Sequence, residues 1–495
     1  MLEVWLMVNV EGGTILVDNA MIAARVLGRK LERRKRILGV FRKSRGHLLG
    51  AMFGMIGVLT LTAAMPAHAQ RGVNLIRDAE IETTLRNMTD PLLEAAGIAP
   101  AAVNLYIVQD RTLNAFVAGG QNLFINTGLL MRTEHPGQIA GVIAHEIGHI
   151  AGGHLSRVGR AQSRAAAEVI LSTVLGAAAA VAGAPALGTA IITGGQTYAQ
   201  GEFLSFSRSQ EQSADQAGVS YLRRINVSPA GLAEFFHILE EQNLLSTSRS
   251  NPYARSHPLT RDRIRFVSDQ VRLVEASSGA QTAGQSDKGY PISWEGAHER
   301  MVVKLKAFLG DPNRTLAHYQ GDELSDRYAR AIAYYRVPDL EKAVAEVDDL
   351  IADYVDDPYF HELKGQMLFE NGRIEAAIAP YQEAVRLKPT ALLRIGLARA
   401  LMETGRSDAG FAAIRELNAA VRDEPTNAGA WRLLGIAQGR AGEEGEASLS
   451  LAEWALLTGK RDDAKLHARR AENRIGPSDP GWLQLQDILR VIEES

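Results

Sequence analysis

The chain has no cysteine in 495 residues. That excludes disulfides, thiolate zinc sites and cysteine nucleophiles together, so any metal must sit on His, Asp or Glu. Charge is missing locally as well: residues 169–200 hold no Asp, Glu, Lys or Arg. A run of that length could span a bilayer, and an integral membrane span is one reading. However, the run is dominated by Ala and Gly rather than Leu and is interrupted by Pro185, so we expect a mobile hydrophobic lid with peripheral membrane contact. No basic excess marks the chain as a whole, which carries a formal net charge of −3. Without residues 1–69, 44 basic residues face 53 acidic ones, a net of −9. A mildly acidic chain has no electrostatic footprint for nucleic acid.

Positive charge is concentrated at residues 29–45, RKLERRKRILGVFRKSR. Apolar residues 48–65 follow, and then the A-x-A-like triplet Ala67-His68-Ala69. This is the pattern of a Sec-type signal cleaved after about Ala69. Export without cysteine suits a Gram-negative periplasm. The basic stretch lies far from Met1, which points to a start near Met21 and predicts no structure in residues 1–20.

At 495 residues, two or more cores are expected. NLYIVQD (104–110) and NAFVAGGQNLFINTGLL (114–130) read as strands joined by a glycine turn. Helical periodicity resumes at Gly137 and again at Ser209. SSGAQTAGQSDKG (277–289) is small, polar and aperiodic, as linkers are. Beyond it, Gly365, Gly372, Ala377 and Pro389 stand at offsets 0, 7, 12 and 24. Ala398 and Gly405 repeat the 7-residue step 33 residues later, and Gly435 to Ala447 repeats the 12. Residues 325–357 form a degenerate first unit and 460–477 a partial last one. The period is that of a tetratricopeptide array, which offers a concave surface to a protein partner.

The chemistry lies in GVIAHEIGHIAGGH (141–154). His145 and His149 are i and i+4, on one helical face and able to reach one ion, with zinc the natural choice. Glu146, one residue around, is placed to act as general base on a metal-held water. His154 falls about 140° from the ligand face of a continuing helix and reads as structural. His135, just before the helix, reads as a loop residue. A third protein ligand is required. In SRSQEQSAD, Glu211 and Asp215 again share a helical face, so Glu211 can ligate while Asp215 accepts a hydrogen bond from a ligand histidine.

HEIGH, then SRSQEQSAD, then SHPLTRDRI (256–264) resembles the minigluzincin peptidases of the HtpX and CAAX-protease type. With the signal and the repeats, the chain is similar to BepA-like periplasmic proteases over residues 73–490. The resemblance implies a mainly α protein: an α+β zincin-type metallopeptidase domain with a small sheet, followed by an all-α tetratricopeptide-repeat solenoid. The expected boundaries are 1–69 for the extension and signal, 70–275 for the peptidase domain, 276–295 for a linker and 296–495 for the repeats. It further implies one zinc ion per chain on His145, His149 and Glu211. The HP-x-x-x-x-R motif carries onto His257 and Arg263 as catalytic-site residues. His257 has two open roles: stabilising an oxyanion, or occupying the metal's open position as a latch. NAFVAGG matches a segment whose strand edge binds substrate backbone, making Asn114, Gly119 and Gly120 substrate-contact candidates. The expected function is periplasmic zinc endopeptidase in outer-membrane protein quality control. Misassembled outer-membrane proteins would be its substrates and the β-barrel assembly machinery a partner through the repeats. The alternative is a chaperone or assembly scaffold with a silent zinc site.

Overall fold

The computed structural model describes residues 3–10, 13–18, 74–157, 168–169, 171–173, 175, 185–245, 253, 256–277 and 284–494. The expected signal sequence at 29–69 and lid residues 176–184 lie outside these. Residues 1–20, expected to be featureless, instead contribute two strands, β1 (Glu3–Val10) and β2 (Gly13–Asp18). Their apolar runs, VWLMV and TILV, are β-branched and long enough to pair as a hairpin. β1 also pairs antiparallel with β3 (Asn74–Arg77).

Helix α1 (Ala79–Ala95) follows, capped by the Asp78 side chain, which accepts from the Ile81 amide. Then come β4 (Asn104–Val108), β5 (Ala115–Ala118) and β6 (Asn122–Asn126). The sheet order is β2-β1-β3-β4-β6-β5, with β4 and β6 parallel and the other neighbours antiparallel. β5 is therefore an outer edge. The text after β6 is not strand, as its apolar run suggested, but a helical turn, α2 (Thr127–Leu130). Gly128 permits it, since a Cβ there would meet the Arg111 carbonyl oxygen at 2.2 Å.

Helix α3 (Pro136–Ala151) packs against β5, and α4 (Pro185–Arg224) and α5 (Ala230–Leu245) pack against α3 in turn. Proline opens α3, where its missing N–H costs nothing. The uncharged segment from 185 onward runs without interruption into the part of α4 that bears Glu211 and Asp215. α4 has 40 residues, about 60 Å of helix. No helix among the described residues is long and apolar enough to cross a membrane.

The glycines of α3 set how closely these helices approach. A Cβ on Gly148 would lie 2.7 Å from the Ala214 carbonyl oxygen of α4, and one on Gly141 would lie 2.7 Å from the Leu232 amide of α5. A Cβ on the opposing glycines would meet α3 as well, on Gly218 at 3.0 Å from the Ala144 carbonyl carbon and on Gly231 at 2.1 Å from the Gly137 carbonyl oxygen. Backbone therefore packs on backbone, and short side chains on α3 and α4 can meet.

After α6 (Arg261–Ser277) comes the stretch expected to be a linker. Its later part is packed rather than free. Tyr290 and Trp294 are buried in the peptidase core, and the Ser228 amide donates to the Gly289 carbonyl at 2.7 Å. α7 (Ser293–Leu309) and α8 (Pro312–His318) lead into helix pairs. These are α9 (Leu324–Arg336) with α10 (Leu340–Asp353), α11 (Pro358–Glu370) with α12 (Ile374–Leu387), and α13 (Ala391–Glu403) with α14 (Ser407–Asp423). α15 (Ala428–Ala441) with α16 (Glu444–Leu457), and α17 (Arg461–Glu472) with α18 (Trp482–Glu494), complete the array. The 7-residue step now has a mechanism. Gly365 and Gly435 sit where a Cβ would strike Tyr381 or Leu451 of the partner helix. Gly372, Gly405 and Gly442 adopt positive φ in the turn that follows.

Peptidase and array share one apolar core that reaches Met367. Buried charges reinforce the junction. Lys304 of α7 is 2.8 Å from Asp78 and 3.1 Å from Glu80, while Arg300 is 2.6 Å from Glu80. The Tyr328 hydroxyl donates to Glu80 at 2.6 Å. Further along the array, Arg77 pairs with Glu424 at 2.8 Å.

Candidate metal centre

α3 presents His145 and His149 to the α4 face that carries Glu211 and Asp215, and His257 enters from the segment before α6. One nitrogen or oxygen from each of His145, His149, Glu211 and His257 falls within 4.8 Å of the others. The separations are regular. His145 Nε2 is 3.0 Å from His149 Nε2, 3.4 Å from Glu211 Oε2 and 3.3 Å from His257 Nδ1. His149 Nε2 is 3.3 Å from Glu211 Oε1, and His257 Nδ1 is 3.2 Å from the same oxygen. Four ligands held tetrahedrally at about 2.0–2.1 Å would stand about 3.3 Å apart, so this donor set fits a zinc-sized cation.

The atoms behind the ring are also occupied. His145 Nδ1 lies 2.9 Å from Asp215 Oδ1, and since a carboxylate only accepts, the Nδ1–H donates and the Nε2 lone pair faces inward. Arg263, expected among the catalytic residues, lies behind the centre instead. It is 1% exposed, with its Nε 2.6 Å from Asp215 Oδ2, Nη2 2.9 Å from Oδ1 and Nη1 2.8 Å from Glu211 Oε2. Its guanidinium aims two carboxylates and bonds the Pro258 carbonyl, and its burial keeps it away from solvent. His154 was expected to point away. It does not: its Nδ1 is 3.0 Å from His149 Nδ1, because the helix ends at Ala151 and Gly153, at φ 59°, turns the chain back. His135 stands at the N-cap position of α3 without a side-chain capping bond and pairs instead with Glu234.

Charge is distributed as a cation site requires. Burial would raise Glu211, but bonds from the three imidazoles hold it well below the usual carboxylate range. Asp215 is likewise held low against burial by Arg263 and His145. Burial lowers His149, to about 3. Burial also opposes charge on His145, yet Asp215 and Glu211 outweigh it and raise His145 to about 9. A metal entering the site would displace that proton. Burial raises Glu146, whose two oxygens have no hydrogen-bond partner among the described residues. The nearest approach is His257 Nε2, at 3.4 Å from Oε1. Tyr253 stacks on the His257 ring at 4.6 Å.

Asn114, Gly119 and Gly120 are not part of this cluster. Gly119 and Gly120, at φ 57° and 96°, make the β5–β6 turn, which accounts for both residues structurally. Asn114 precedes β5, and its carbonyl accepts from the Asn126 amide at 3.0 Å. That bond fixes the alternation of the ladder: Phe116 and Ala118 bond to β6, while the amides of Ala115 and Val117 point away from it, Ala115 being fully buried and Val117 partly exposed.

Residues 77–271 match the profile of Peptidase family M48, and residues 328–391 match that of a tetratricopeptide repeat. The chain carries an M48 metallopeptidase domain. It is 25% identical over 400 residues, 79% of each chain, to the Beta-barrel assembly-enhancing protease of Yersinia pestis. The protein of the same name from Escherichia coli K12 is 22% identical over 402 residues, 79% of this chain and 78% of that one. Metalloprotease LoiP of Escherichia coli K12 is 29% identical over 173 residues, 34% of this chain and 63% of that one. The kinship and fold class expected from the motifs are thus met, and the M48 domain makes the chain a metalloendopeptidase.

Proposed function

We propose that the chain is a periplasmic zinc endopeptidase that acts on misassembled outer-membrane proteins, with its repeats docking client or assembly machinery. The observation that carries the enzymatic part is the near-tetrahedral set of inward-facing donors on His145, His149, Glu211 and His257. The similarity to proteases named for β-barrel assembly supports the client class. Zinc, when bound, would polarise the scissile carbonyl and acidify water. Asp215 and Arg263 hold His145 and Glu211 in register. Glu146, buried and unbonded, accepts the proton from the attacking water and delivers it to the leaving amine. The outward amide of Val117 holds an extended substrate along the β5 edge.

His257 is a latch in this reading. Its Nδ1 occupies one corner of the donor set while its Nε2 faces Glu146, so a single side chain blocks both the open metal position and the base. Latching accounts for a scaffold-like resting state without a second function. The test is Glu146→Gln, which should retain one zinc per chain and lose cleavage of casein. Undiminished cleavage by a zinc-loaded Glu146→Gln protein sinks the mechanism.

A further inference from the structure

Each of the two α3 histidines has a partner behind it, and the partners differ. Behind His145 stands the ionised carboxylate of Asp215. Behind His149 stands the imidazole of His154, Nδ1 to Nδ1 at 3.0 Å, on the side opposite the donor set. For His149 Nε2 to offer a lone pair inward, its proton must lie on Nδ1, and among the described residues the atom that meets it there is His154 Nδ1. His154 is 3% exposed, so water does not substitute. Its placement is built. Gly153 takes positive φ to fold the chain back under α3, and a Cβ on Gly152 would meet three atoms of the His154 ring, the nearest at 2.3 Å. Glycine at 152 is thus required for that ring and not for the helix, whose dihedrals there suit any residue.

We infer that His154 is a positioning residue for the metal: it accepts the Nδ1–H of His149, fixes that ring's tautomer and rotation, and leaves Nε2 as the ligand. The inference rests on the zinc reading above. Partners of this kind are typically worth ~10–100-fold in metal affinity.

The test is zinc affinity of the full chain, read by competition with a chromophoric chelator, together with the Tm of the metal-free protein. His154→Leu should weaken zinc binding ~10–100-fold and leave the metal-free Tm close to wild type. His154→Asn, whose amide oxygen can stand where Nδ1 stands, should recover most of the affinity. Gly152→Ala should behave as His154→Leu, and it keeps the test open should His154→Leu fail to fold. Wild-type affinity in His154→Leu, or no recovery by His154→Asn, overturns the inference while leaving the zinc reading intact. Failure of the wild-type chain to bind zinc, or binding that survives His149→Ala, overturns the zinc reading itself and this inference with it.

Discussion

Replacing Arg263 with methionine removes a guanidinium while keeping much of its apolar stem. Three charge-assisted contacts vanish, at 2.6, 2.9 and 2.8 Å, along with the bond to Pro258. Asp215 and Glu211 have side chains only 1% and 4% exposed, so water cannot take the place of the cation. Breaking a buried pair by removing one partner costs ~3–5 kcal/mol. At roughly 2–4 °C per kcal/mol for a domain of this size, Tm should fall by about 6–20 °C. The fall should be larger in the chelated protein, since bound zinc would neutralise Glu211 in place of the arginine. Thermal unfolding followed by circular dichroism, with zinc and after chelation, measures both. A Tm within roughly 2 °C of wild type in both states, combined with lost proteolysis, would refute the clamp and return Arg263 to substrate contact.

His257→Ala should raise casein cleavage above wild type at equal zinc content; equal or lower activity would mean that His257 assists the reaction rather than latching it. Val117→Pro removes an outward amide from β5 without breaking a bond to β6, so kcat/KM should fall with zinc content and Tm retained; unchanged kinetics would remove the edge from substrate binding. At the junction, burial would raise Glu80, but Arg300 and Lys304, with the Tyr328 hydroxyl, hold it below its usual 4.5. The folded state therefore binds that proton more weakly than the unfolded chain, and the stabilisation is complete above about 4.5 and lost as pH falls below it. The Tm difference between wild type and Glu80→Gln should stay constant from neutral pH down to about 4.5 and shrink below it, and a difference that does not change below 4.5 would contradict the assignment.

Features set by nearest neighbours along the chain were legible in the sequence. HEIGH places two imidazoles one turn apart on any helix, and the 211/215 pair does the same for two carboxylates. The recurring glycines and alanines of the repeats announce helix pairs pressed together, because the period is a property of the local fold. Tertiary structure alone decided how far these pieces extend and which way they face. Pro185 looked like a break in the uncharged run, yet the chain from it to Arg224 is one helix, because proline obstructs only the turn that precedes it. His154 looked misdirected because helical rotation was carried past Ala151, where the chain in fact reverses at Gly153. Arg263 looked catalytic because the motif gives its company but not its direction. Nothing in the spacing of Lys304, Arg300, Asp78 and Glu80 hinted that they meet, as contacts between residues more than two hundred positions apart leave no periodic trace. The sequence thus determined the donor types and their helices. The glycine-lined contact of α3 with α4 brought His145, His149 and Glu211 to about 3 Å from one another, and the segment before α6 added His257, which is what turns four side chains into one site.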